Sequence, residues 1–106
     1  MVDEQIVNTI IRYVTLLNQE GFDITKAFLY GSFSTGKTHE TSDIDLMLVS
    51  GSLDENDTEK KSRAWVLTRK VDTRIEPYIV NLERFLHDDS SPLLEIVRQQ
   101  AVEIRF

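Results

Sequence analysis

The chain contains no cysteine, which excludes disulfides, thiol nucleophiles and cysteine-based metal sites. It has no apolar run approaching the roughly 20 residues of a membrane span. Its N-terminus is acidic at Asp3 and Glu4, and its first apolar residues are spaced rather than continuous. That is unlike a signal peptide, so the expected location is the cytoplasm. Positive charge is scarce, and the formal net charge is -6. A surface of that sign does not supply the basic patch that displaces counterions from a phosphate backbone, so no direct DNA binding is expected. Nucleotides stay open, because clustered carboxylates hold them through divalent cations.

What is present fits one small domain spanning residues 1–106, with 41% hydrophobic and 28% charged residues and no internal repeat or linker. Val2 to Glu20 carries Ile6, Val7, Ile10, Ile11, Val14 and Leu17 on one helical stripe, with Asp3 placed to cap it and Gly21 to stop it. Lys26 to Tyr30 reads as a short buried strand. From Asp43 onward Ile44, Leu46 and Leu48 alternate with Asp43, Asp45, Met47 and Val49, the pattern of a second strand. Gly51 to Glu59 is polar and turn-rich and predicts a mobile surface loop. Lys60 to Val71 reads as a helix burying Ala64, Leu67 and Val71, with Trp65 as a packing residue and its cations on a solvated face. Arg74 to Asn81 is a third strand, confined by Pro77 to a sheet edge or an irregularity. A helical turn at Leu82 to Leu86, a helix capped by Ser91 and opened by Pro92, and a half-exposed strand at Val102 to Phe106 complete the chain. His39 and His87 stand in polar loops without ligand spacing and are assigned no role.

The chemistry concentrates between Gly31 and Asp45, which can be parsed in two ways. Gly31 to Thr38 satisfies G-x-x-x-x-G-K-[ST], a phosphate-binding P-loop, after the apolar run Ala27 to Tyr30. Such a loop must open a helix, yet His39 to Ser42 offers no apolar residue to pack one on a sheet. Under the second parsing, a Gly31-Ser32 turn is followed after ten residues by Asp43-Ile44-Asp45. Two aspartates two apart on a strand project from one face, where they repel each other unless a metal lies between them. This parsing accounts for more residues, and it leaves Lys37 as a loop residue or a loose phosphate contact.

Tyr30-Gly31-Ser32 with Gly36, followed by Ser42-Asp43-Ile44-Asp45-Leu46, resembles the signature of the DNA polymerase β-type nucleotidyltransferases. The chain's small size resembles their minimal members, often encoded beside a HEPN-domain partner. The resemblance implies an α/β (α+β) fold, a small mixed sheet flanked by helices. It also implies that Gly31 and Ser32 contact the phosphates of ATP or another nucleoside triphosphate, and that Asp43 and Asp45 hold two Mg2+ ions. The third carboxylate falls best on Glu76, inside the strand-like run, with Asp72 as the fallback; it would ligate the catalytic metal and take the acceptor's proton. Two features depart from the family pattern. Phe33 stands where a basic residue is frequent, and the third ligand is the longer glutamate.

The implied reaction transfers a nucleoside monophosphate, AMP from ATP, to a hydroxyl with release of pyrophosphate. A short chain has little mass left for an acceptor domain, so the acceptor is expected on a partner protein, in a homo- or hetero-oligomer. The rival expectation is a non-catalytic, antitoxin-like binding protein of a HEPN-type ribonuclease; a P-loop nucleotide-binding protein is the lesser alternative. Singly, each site residue has a plainer account: Gly31-Ser32 as an ordinary turn, Asp43 bonded within its own loop, Glu76 paired on the surface with Arg74 or Arg69.

Overall fold

The structure, a computed structural model, describes residues 2–31 and 42–106. Ser32, Gly36, Lys37, Thr38 and His39 therefore lie outside the described residues. Helix α1 runs Glu4–Gln19, capped by the Asp3 carboxylate, which accepts from the Gln5 amide at 2.7 Å. Gly21 follows the helix end with φ of 86°, a left-handed turn that favours glycine. Ile6, Ile10, Val14 and Leu17 are buried as the apolar period predicts, joined by Tyr13, while Val7 and Ile11 pack at the rim.

The strands are β1 (Ile24–Tyr30), β2 (Ile44–Ser50), β3 (Ile75–Asn81) and β4 (Val102–Ile104). They lie in the order β3-β2-β1-β4. β1 pairs antiparallel with β2 and with β4, while β2 and β3 are parallel. A parallel pair needs a crossover; here it is α2 (Thr58–Leu67) with the 3-10 turn Thr68–Lys70. Helices α3 (Leu82–His87) and α4 (Pro92–Gln100, capped by Ser91) follow β3.

Alternation along β2 divides the core. Ile44, Leu46 and Leu48 join α1 and α2 on one face of the sheet. Met47 and Val49 join Val80, Phe85, Leu94 and Val97 on the other, where the Phe85 ring of α3 stacks on Phe28 at 5.1 Å. Both faces are covered, which is why β2 is apolar almost throughout. Pro77 lies in β3, an edge strand, as expected. The antiparallel β1/β2 pair departs from the all-parallel sheet that the P-loop parsing requires.

Two expectations are corrected. Trp65 is not a packing residue: it is 48% exposed, because α2 turns Ala64 and Leu67 inward and the Tyr13 hydroxyl donates to the Ala64 carbonyl. Residues 51–57 form the largely exposed loop expected, but it is anchored rather than mobile, and Thr58 and Glu59 already belong to α2. Leu53 is buried, Asp57 caps α2, and Glu55 accepts from the Asn81 amide at 2.6 Å and from Arg84 at 3.0 Å.

Candidate active site

The site forms where β1 ends and the parallel strands β2 and β3 begin. Tyr30 lies opposite Asp45, and Asp45 opposite Glu76, so one row crosses three strands. Residues in register on neighbouring strands share a face. This is the α3/α4 face, one row beyond Phe28, Met47 and Tyr78. Asp43 precedes β2 by one residue and is exposed. Thus Asp43, Asp45 and Glu76, read from the sequence as candidate ligands, meet at one end of one face.

The electrostatics follow from that crowding. The Glu76 carboxyl is held above its ordinary value by a hydrogen bond shared with Asp43, by desolvation, and by the charges of Asp43 and Asp45. Asp45 is raised by burial and then by Asp43. The Tyr30 phenol is pushed up to about 12 by burial and by the charges of Asp45, Glu76 and Tyr78. Glu76 and Asp45 are thus the acids whose ionised forms this crowding disfavours.

Gly31 closes the row. Its φ is +74°, and a Cβ there would overlap Asp45 Oδ2 and stand 3.2 Å from Asp45 Cγ. Both conformation and close approach therefore call for glycine. Asp72, the fallback third acid, is engaged elsewhere. It accepts from the Arg74 amide at 2.9 Å and from the Arg74 guanidinium at 2.7 to 3.2 Å, and Arg74 lowers its pKa. Arg74 therefore pairs with Asp72 among the described residues, and Glu76 is the acid in the row.

The donor set suits a hard divalent cation: carboxylate oxygens whose repulsion such an ion would relieve. Among the described residues, no three His, Cys, Asp or Glu side chains are already gathered as a metal-binding group. The residue that sequence reasoning left without a role is Tyr30. Its place in the β1 alternation was visible, but its neighbours depend on register across two strand pairs, for which a single strand carries no signal.

A family model described as "Polymerase beta, Nucleotidyltransferase" matches residues 8–97. No curated protein matches the chain. Among solved structures, a candidate nucleotidyltransferase from Sulfolobus solfataricus superposes with a TM-score of 0.64 at 14% identity, over 93% of this chain and 78% of that one. A toxin–antitoxin complex with AMP-PNP gives 0.61 at 22% identity, over 93% and 72%. The complex of the tri-AMPylated HEPN toxin of Shewanella oneidensis with its MNT antitoxin gives 0.55 at 19% identity, over 93% and 68%. At such identities these likenesses are of fold.

Proposed function

Since this chain belongs to the polymerase beta nucleotidyltransferase family, we propose that it transfers AMP from ATP to a hydroxyl on a HEPN-domain partner protein and releases pyrophosphate. The observation that carries the reading is the register of Asp45 against Glu76, with Asp43 on the same end of the same face. A partner hydroxyl as acceptor is supported by the kinds of protein that share the fold, a toxin–antitoxin complex with AMP-PNP and an AMPylated HEPN toxin with its antitoxin. The proposed setting is the cytoplasm; no helix among the described residues is long and apolar enough to cross a membrane.

In this reading Asp43, Asp45 and Glu76 hold two magnesium ions. Bound magnesium would neutralise charge on the triphosphate and lower the acceptor hydroxyl's pKa. Gly31, whose side-chain position is taken by the Asp45 carboxylate, would offer its backbone to a phosphate, and Ser32 would add a hydroxyl contact. The acceptor oxygen forms a bond to the α-phosphorus, the bond to the bridging oxygen breaks, and pyrophosphate leaves with that electron pair. Glu76 would take the acceptor's proton, a role open to a carboxylate in register with Asp45 in the same row.

The test uses ATP labelled at the α-phosphate, magnesium and the HEPN protein as acceptor. Label should appear on the partner and disappear with Asp43→Ala plus Asp45→Ala. Complex formation with no label transferred would favour the binding-only, antitoxin-like reading.

A further inference from the structure

The row that holds Asp45 and Glu76 has a third member that the reaction as written does not use. Tyr30 sits at the end of β1 in register with Asp45, with its ring half-buried against the cluster of Met47, Val80 and Phe85. Its hydroxyl makes no hydrogen bond to another described residue, whereas buried side-chain polar atoms among the described residues all have partners. Tyr30 is half-buried in register with Asp45, and its phenol feels the charges of Asp45 and Glu76, so the hydroxyl lies near the carboxylates of its row. Tyr78, one row further in, differs: Arg84 donates to its hydroxyl at 3.2 Å and lies over its ring. Of these two tyrosines on one face, one hydroxyl is satisfied internally and the other is presented at the acids.

We propose that Tyr30 is a substrate-contacting residue of this site, its hydroxyl donating a hydrogen bond to a phosphate oxygen of the bound nucleoside triphosphate. The proposal rests on the nucleotidyltransferase reading above. The proposed partner is an acceptor: the phenol hydroxyl can donate, and a phosphate oxygen is a charged acceptor that would face it once a cation engages the acids of the row. A phosphate fits because Asp45 and Glu76 would hold a cation, and that charge would attract the triphosphate to the row Tyr30 shares with them. The fixed ring is what makes the contact efficient: a half-buried tyrosine loses little freedom when its hydroxyl binds.

The experiment is calorimetric titration of magnesium with AMP-PNP and, separately, with inorganic tripolyphosphate, into wild type, Tyr30→Phe, Tyr78→Phe and Asp45→Ala. A hydrogen bond to a charged group sets the expected loss at about tenfold or more in affinity. Tyr30→Phe should show that loss for both ligands, with an unchanged Tm, while Tyr78→Phe leaves affinity as in wild type. Asp45→Ala should lose binding of both. Wild-type affinity in Tyr30→Phe overturns the proposal while the nucleotidyltransferase reading stands. A loss for AMP-PNP alone also overturns it, because the contact would then lie on the nucleoside. An equal loss in both tyrosine variants would mark a packing effect and overturn it too. Wild-type protein that binds neither ligand overturns both readings.

Discussion

At the scale of single residues the site is defined by what its members cannot exchange. Gly31 is the clearest case, with its φ of +74° and the Asp45 carboxylate where a side chain would begin. Gly31→Ala should lower stability by about 1–2 kcal/mol from backbone strain alone, measured by urea unfolding, and should abolish transfer by displacing Asp45. Asp45 itself carries a linkage. Its folded pKa is raised, first by burial and then by Asp43, so the folded state keeps its proton longer than the unfolded state. Its effect on stability is therefore adverse once pH rises through that raised value, and absent below the ordinary carboxylate range. Asp45→Asn should raise the Tm of the metal-free protein at pH 7 and leave it unchanged near pH 3, while abolishing transfer. A lowered Tm at pH 7 would show that the carboxylate is structurally stabilising instead.

At the scale of elements, helices and strand faces were legible and their neighbours were not. The stripe of α1, its Asp3 cap and its Gly21 stop are local signals and are found as read. The alternation in β2 likewise placed Asp45 on the face opposite Ile44, Leu46 and Leu48. Trp65 shows the limit of such reasoning. Which residues of a sparsely apolar helix turn inward is decided by its partner, here Tyr13 reaching Ala64, and that contact spans 51 positions. The segment before α2 shows the same limit. Its polar composition signals a loop, but Glu55 ties it to β3 and α3 by accepting from the Asn81 amide and Arg84, with Lys61 3.8 Å away. Glu55→Ala should cost about 1–3 kcal/mol through the donors it leaves unpaired. Amide exchange at Asn81 should accelerate beyond what the global loss explains; an unchanged Asn81 amide would mean that water replaces the carboxylate.

At the scale of the whole molecule, the sheet joins motifs that sequence separates. Asp45 and Glu76 are 31 positions apart, yet the parallel pairing of β2 with β3 sets them side by side. Single-strand periodicity shows that each is strand-borne, not that they are partners; Asp72, the other acid before β3, pairs with Arg74. The antiparallel β1 then brings Gly31 to the same end, so three chain segments converge on one short edge. A net charge of -6 becomes intelligible at this scale: acidity at such an edge repels a bare triphosphate and suits one that arrives with divalent cations. The most direct test of the central claim is transfer of label from α-labelled ATP to the HEPN partner. With magnesium, label should enter the partner and be lost on removing the metal or on replacing Asp43 and Asp45 by alanine. Transfer that persists undiminished in the double variant would contradict the assignment of this site.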